Sequence, residues 1–129
     1  MKRITPVLVV PALEAVLPLW EALGFARVAE VPHGDALGFV LLARGEVQLM
    51  YQSEASVRED VPQAFAGPVA LGAAMVFVQV DDLDAVTAAL PAGTDVLVAR
   101  RTTFYGSTEC IVRDAAGHVI TFAQFAEEG

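Results

Sequence analysis

The hydrophobic pattern of the first half of the chain passes from an apolar run to helical spacing and back to short runs. The run from Ile4 to Val10 is apolar and rich in β-branched residues, which is typical of a buried strand. Between Ala12 and Leu23 apolar side chains recur three or four residues apart, which predicts a helix with one buried face. That face consists of Leu13, Val16, Leu17, Trp20 and Leu23. Three more strands are predicted at 25–31, 37–43 and 46–52.

Two residues set the limits of this predicted helix. Gly24 follows the last apolar position and suits the C-terminal cap, because glycine adopts a left-handed conformation without strain. Pro18 lies inside the pattern and lacks an amide hydrogen, so we expect it to kink or split the helix near Glu14.

The second half repeats the order β-α-β-β-β after a polar connector. Strands are predicted at 74–80, 96–102, 108–113 and 119–125. A helix is predicted from Asp81 or Asp82 to Leu90, because either carboxylate can accept hydrogen bonds from its first amides.

An internal repeat follows from these two halves. Residues 8–16 align with 78–86 at an offset of 70, and residues 47–52 loosely resemble 119–124. We therefore predict an α+β fold in one domain, residues 1–129. Module one is 4–52, the connector is 53–73 and module two is 74–125. Two such βαβββ modules are expected to form a cupped mixed sheet around a cleft, with the helices outside.

Composition and charge exclude several classes of protein. Hydrophobic residues make up 55% and charged residues 19% of the chain, the opposite of a disordered protein. The net charge of −8 disfavours nucleic acid and anionic membrane surfaces, and favours neutral or cationic ligands. Cys110 is the single cysteine, so no internal disulfide forms and we expect a cytoplasmic protein.

Two stretches carry a family resemblance. The first stretch consists of Val10–Ala15 (Val-Pro-Ala-Leu-Glu-Ala) and Leu19–Phe25 (Leu-Trp-Glu-Ala-Leu-Gly-Phe). The second stretch, Arg113–Phe122, begins Arg-Asp-Ala-Ala-Gly and ends in a hydrophobic strand. The first resembles the opening of the vicinal oxygen chelate superfamily, and the second resembles its closing hairpin. This superfamily includes glyoxalase I, extradiol dioxygenases and bleomycin-resistance proteins. The resemblance covers nearly the whole chain and implies a small-molecule site in a protein that is commonly dimeric.

The resemblance also implies where a metal would bind. Enzymes of the superfamily hold a divalent ion with His, Gln or Glu on the first and last strands of each module. The corresponding residues here are Thr5, Met50, Met75 and Thr121. None offers an imidazole or a carboxylate, the ligands that such ions prefer. We therefore expect no metal and no other cofactor, and we favour the bleomycin-resistance branch over the enzymes.

Apolar and aromatic side chains are expected to line the cleft. Methionines provide an adaptable apolar wall, Phe77 shares the strand parity of Met75, and aromatic residues in a loop often bind ligands. Glu109 lies in an apolar run. It is either an exposed or ion-paired residue beside Arg100, Arg101 or Arg113, or a cavity carboxylate that anchors a cationic or hydroxylic ligand. The full set of expected ligand-binding residues is Thr5, Phe39, Met50, Met75, Phe77, Phe104, Tyr105, Glu109 and Thr121, with no catalytic residue.

The remaining candidates for chemistry have simpler explanations. His33 and His118 lie in predicted turns, so we expect both to be solvated. Cys110 is expected to be an inert core thiol and Trp20 a core residue.

The leading hypothesis is a metal-free protein that binds or sequesters a small planar, apolar or cationic molecule. By its resemblance, it would be a homodimer with a role in antibiotic resistance. One alternative is a lyase, isomerase or dioxygenase of the same fold, using either a metal or acid–base catalysis by Glu109 with Tyr105 or His118. Another alternative is an interaction module whose dimer surface is its function.

Overall fold

A computed structural model describes residues 2–69, 71–72 and 74–126. The first module contains β1 (Val7–Val10), α1 (Leu17–Ala22), β2 (Ala26–His33), β3 (Ala36–Arg44) and β4 (Val47–Ser53). After α2 (Glu54–Asp60), the second module contains β5 (Met75–Gln79), α3 (Leu83–Ala89), β6 (Asp95–Thr102), β7 (Ser107–Arg113) and β8 (Val119–Phe125).

The strands of the described residues form two four-stranded mixed sheets. Sheet 1 has the order β1-β4-β3-β2 and sheet 2 the order β5-β8-β7-β6, so the second module repeats the topology of the first. The first strand of each module runs parallel to the last, and the other pairs are antiparallel. The predicted α+β fold of two βαβββ modules is confirmed.

One hydrophobic core serves both modules. Successive residues of a strand point to opposite faces of its sheet. The side chains of one face, here called the inner face, join α1 in a single buried cluster that includes Val10, Tyr51, Val112 and Phe122. Trp20 of α1 lies 6.3 Å from Phe122 between ring centres, so the core crosses from one module to the other. The opposite face of each sheet is called the open face.

Helix α1 begins later than the sequence pattern predicts. It begins at Leu17 rather than at Ala12, and Pro18 occupies its first turn, where the missing amide hydrogen costs nothing. Before it, Val16 donates a backbone hydrogen bond to Leu13 across 3.1 Å in a turn. All five apolar residues of the predicted helix face are nevertheless buried in the core. Gly24 follows the helix with a φ of 89°, as its predicted capping role requires.

The strands differ from the predicted ranges mainly at β1, which begins at Val7 rather than at Ile4, and at the first hairpin. Pro32 and His33 belong to β2 rather than to a turn, and the hairpin turns at Gly34 and Asp35. Gly34 has a φ of 62°, which suits a two-residue hairpin turn.

The connector, which the sequence analysis describes only as polar, begins with the short helix α2. Ser53 caps α2, because its Oγ accepts a hydrogen bond from the amide of Ser56 across 3.1 Å. Gly38 of β3 packs beneath this helix, where an added Cβ would lie 3.2 Å from Ser56 and 2.6 Å from His33.

The repeat has two different offsets. Val7 of β1 pairs with Met50 of β4, and Phe77 of β5 pairs with Thr121 of β8. At the predicted offset of 70, Val7 corresponds to Phe77. Their partners Met50 and Thr121 then correspond at an offset of 71. The predicted match of 47–52 with 119–124 is therefore wrong by one residue. A slip of one residue would turn every side chain of the strand to the other face.

Helix α3 begins at Leu83, and its N-cap is Asp82, whose carboxylate accepts from the amide of Ala85 across 3.1 Å. In the part of the chain that the structure describes, no helix is long and apolar enough to cross a membrane.

Candidate functional site

The four positions that correspond to the family's metal ligands lie on or beside the open faces. Met50 and Thr121 are on the last strand of each module, Met75 begins β5, and Thr5 precedes β1. Two hydroxyls and two thioethers do not fit a divalent cation that prefers imidazole or carboxylate ligands. Among the described residues, no group of three or more His, Cys, Asp or Glu side chains could hold a metal ion.

The nine expected ligand-binding residues divide between the two sheets. Thr5, Phe39 and Met50 are partly buried at sheet 1. The others belong to sheet 2 and the loop between β6 and β7, and they are Met75, Phe77, Phe104, Tyr105, Glu109 and Thr121. Within the described residues, no hydrogen bond or aromatic contact joins the two groups, whereas Tyr105 of the second group contacts both Phe104 and Glu109.

Four aromatic rings form a continuous line across the open face of sheet 2, here called the aromatic row. Phe104 packs edge-on against Tyr105 at 5.1 Å between ring centres. Tyr105 lies 6.4 Å from Phe125, which lies 6.4 Å from Phe77. Sequence reasoning missed Phe125, although its strand parity with Thr121 indicates the same face.

Much of the aromatic row is open to solvent. Phe104 is fully exposed, Phe77 is 55% exposed and neighbouring Met75 is 76% exposed. Contiguous exposed apolar patches are more common at binding sites than elsewhere on a protein surface, so the aromatic row is a candidate binding surface.

Glu109 lies beneath the aromatic row and is completely buried. Its Oε1 accepts from Nε and Nη2 of Arg101 at 3.0 and 2.8 Å. Its Oε2 accepts from the Tyr105 hydroxyl at 2.6 Å and the Ser107 hydroxyl at 2.8 Å. The expected ion pair with Arg101 is confirmed and the expectation of an exposed position is wrong. A carboxylate with four donors and no exposed surface does not contact a ligand directly.

The pKa of Glu109 reflects these opposing influences. Burial alone would raise the pKa, but the hydrogen bonds from Tyr105, Ser107 and Arg101 hold it below its ordinary value. Glu109 is therefore ionised, and its charge is compensated within the protein.

A second buried polar cluster lies on the inner side of the sheets. Trp20 Nε1 donates to the Tyr51 hydroxyl across 2.9 Å, and that hydroxyl donates to Asp114 Oδ2 across 3.0 Å. The Nδ1 atom of His118 lies 2.9 Å from the same Oδ2. Sequence reasoning missed Tyr51 and Asp114, because their partners come from different modules.

The prediction of a solvated His118 is wrong. His118 is only 2% exposed, because the turn that carries it packs against the core. His118 has the inner-face parity of Ile120, whereas Glu109 lies on the open face. The two side chains therefore lie on opposite sides of sheet 2 and do not face one substrate as an acid–base pair. His33 ends β2, partly buried, with Nε2 at 3.6 Å from Glu59.

Cys110 and Trp20 are core residues, as expected. Cys110 is 1% exposed, and burial raises the pKa of its thiol. A buried thiol with a raised pKa is a poor nucleophile.

Two surface grooves lie away from the expected ligand-binding residues. The larger one, about 590 Å³, runs between the end of α1 and the segment joining β5 to α3. The smaller one, about 220 Å³, lies beside the start of α1 and the segment 91–95. None of the nine residues lines either groove, so neither is the predicted cleft.

Comparison with solved structures shows a common fold at low sequence identity. A protein of unknown function from Agrobacterium tumefaciens strain C58 superimposes with a TM-score of 0.74 at 15% identity, covering 98% of this chain and 95% of that chain. The bleomycin resistance determinant encoded on transposon Tn5 has a TM-score of 0.67 at 18% identity, covering 98% and 100%. A glyoxalase-related enzyme from Fulvimarina pelagi has a TM-score of 0.69 at 19% identity, covering 96% and 88%.

The sequence itself identifies the family. The chain has no significant match among the curated proteins. The sequence profile of the Glyoxalase/Bleomycin resistance protein/Dioxygenase superfamily matches residues 3–122, which is most of the chain. This protein therefore belongs to the Glyoxalase/Bleomycin resistance protein/Dioxygenase superfamily.

Proposed function

We propose that this protein binds and sequesters a small planar, apolar or cationic molecule without transforming it. The observation that carries the proposal is the exposed aromatic row beside positions whose donors do not suit a divalent metal. The two modules then act as one ligand-binding domain in the cytoplasm. Sequestration of a toxic planar compound is the form of antibiotic resistance that this role would provide.

The energetic support comes from apolar surface. Burial of such surface contributes about 25 cal/mol per Å², and aromatic rings add favourable ring–ring geometry. Met75 and Phe77 offer the largest exposed side chains on β5, and Phe104 and Tyr105 extend the same patch. A flat molecule that covers these side chains removes more apolar surface from water than a compact one of the same size.

We also propose that two copies form the site together. Sheet 2 of one protomer has an uncovered open face, and the first strand of each module is a sheet edge with exposed apolar residues such as Val7 and Phe77. Exposed edges and apolar faces are surfaces that a partner covers. A two-fold dimer that brings sheet 1 of one protomer against sheet 2 of its partner would gather all nine expected residues around one cleft.

The test uses four naphthalene probes: naphthalene itself, 2-naphthamide, 2-naphthylmethylamine and 2-naphthoate. Calorimetric or fluorescence titration in the presence of EDTA should detect saturable binding of at least one, and mass spectrometry should recover the probe unchanged. Phe77→Ala should weaken binding. Val28→Ala is the control, because Val28 is similarly exposed, at 61%, on the far edge of sheet 1. Conversion of a probe, or failure of all four to bind, would contradict the proposal.

A further inference from the structure

Arg101 lies on the open face of sheet 2 at the end of the aromatic row where Tyr105 is held. Two of its N–H groups bind Glu109 Oε1. A guanidinium group carries five N–H donors and no acceptor. Nη1 has no hydrogen-bonding partner within the described residues, and 48% of the side-chain surface is exposed.

Glu109 fixes both Arg101 and Tyr105. The carboxylate binds the guanidinium through one oxygen and the Tyr105 hydroxyl through the other. The Tyr105 ring and the Arg101 guanidinium are therefore held in one arrangement before a ligand binds. Preorganisation of this kind reduces the entropy lost on binding.

The charges around this position disfavour both cations and anions. A cation placed here meets the Arg101 guanidinium, while the buried Glu109 charge is already compensated and inaccessible. An anion placed here gains less from Arg101, whose charge Glu109 compensates, and it approaches a protein with a net charge of −8. A neutral acceptor, such as a carbonyl oxygen, takes the remaining N–H groups without either penalty.

From these contacts, and on the basis of the function proposed above, we infer that the ligand is a neutral, planar aromatic molecule with a carbonyl oxygen on its edge. The ring system lies against the aromatic row and the carbonyl accepts from Arg101. Aromatic amides, quinones and polycyclic ketones share this chemistry.

The four naphthalene probes test this inference by their order of affinity. The expected result is that 2-naphthamide binds more tightly than naphthalene, which lacks the acceptor, and more tightly than 2-naphthylmethylamine or 2-naphthoate. Arg101→Gln should lower the affinity for 2-naphthamide by about three- to tenfold, the effect of one net hydrogen bond, and leave naphthalene unchanged. Arg100→Gln is the matched control. Arg100 is the adjacent residue, and its Nη1 donates to Oδ1 of Asp84, a residue of α3, across 2.9 Å.

A double variant separates loss of the contact from loss of the fold. Arg101→Gln alone leaves the Glu109 charge buried with fewer hydrogen-bond donors. The double variant, Arg101→Gln with Glu109→Gln, removes both charges together. Because Glu109 also holds Tyr105, the readout is the ratio of the affinities for 2-naphthamide and naphthalene rather than either affinity alone. If the double variant binds the two probes equally, the inference is supported. The inference is overturned if the double variant keeps the preference, or if 2-naphthylmethylamine or 2-naphthoate is the tightest wild-type ligand. In those cases the proposed binding function still stands, whereas failure of all four probes contradicts both.

Discussion

The hydroxyl of Tyr51 donates a hydrogen bond across 3.0 Å to Oδ2 of Asp114, and this buried contact joins the two halves of the repeat. Tyr51 lies on β4, and Asp114 lies in the turn between β7 and β8. Oδ1 of Asp114 accepts from the amides of Ala116 and His118 at 2.9 and 2.8 Å. Because a buried polar group without a partner is costly, this network favours one arrangement of the modules over others.

Removing the Tyr51 hydroxyl should destabilise the protein. Tyr51→Phe leaves Trp20 Nε1 without its acceptor and Asp114 with one donor fewer. We expect a loss of about 1–3 kcal/mol in the free energy of unfolding, measured by urea denaturation. Tyr105→Phe is the control, because it deletes the same atom while Glu109 keeps three donors. An equal loss in both variants would contradict a special role for the network.

Stability should fall as the solution becomes acidic. Burial would raise the pKa of Asp114, but its hydrogen bonds with His118 and Tyr51 outweigh burial and hold the pKa below its ordinary value of 3.8. Glu109 is likewise held below 4.5. For both groups the unfolded chain binds protons more readily, so their stabilisation is complete above these ordinary values. It is lost as the pH falls below them and through the lower pKa values of the folded state.

The Asp114→Asn variant tests this dependence. We expect it to be less stable than wild type at neutral pH and to lose less stability between about pH 5 and pH 3, since the titrating group is gone. Denaturation by urea at a series of pH values measures both effects. A slope as steep as that of the wild type would show that Asp114 is not a source of the acid sensitivity.

The proposed dimer predicts a change of mass on substitution of β5. Analytical ultracentrifugation at micromolar concentration should give twice the chain mass for the wild type. Phe77→Glu places a charge on the surface that the partner would cover, so it should shift the equilibrium to the monomer. Val28→Glu makes the same change on β2 and should leave the dimer intact. A monomeric wild type would refute the proposed assembly.

The Cys110 thiol should react slowly in the folded protein. It is buried and its pKa is raised by burial, so both access and the thiolate fraction are low. Titration with a thiol-reactive chromogenic disulfide should be slow in buffer and fast in denaturing urea. Because Cys110 is the single cysteine, the signal has one source. Rapid reaction in buffer would mean that β7 opens readily.

The order of the strands, α1 and α3 was predictable because it depends on local periodicity, whereas α2 lies in the polar connector and was not predicted. The apolar spacing around α1 predicted five buried residues correctly, although Pro18 moves the helical conformation itself to Leu17–Ala22. The start of α1 was predicted too early, because a turn can place Leu13 and Val16 on the same side as a helix does. The apolar spacing indicates which side chains are buried, but it does not determine the backbone conformation.

The candidate site was only partly predictable. Strand parity placed Phe77 on the same face as Met75, and the family resemblance placed Thr121 at a ligand position. The paired register puts Phe77 beside Thr121. Phe125 was overlooked, and Glu109 was assigned a possible contact with ligand although its four donors seal it. Which donors surround a carboxylate depends on neighbouring strands and loops, which hydrophobic spacing does not describe.

The sequence by itself determined the two-module fold and the buried faces of strands and helices. These properties follow from side-chain chemistry and from periods within single elements. Only the tertiary structure decided that His118 is buried beside Asp114, that β4 and β8 align at an offset of 71, and that Arg101 keeps N–H groups at the aromatic row. Such relationships join residues far apart in the chain, so packing of the two modules sets them.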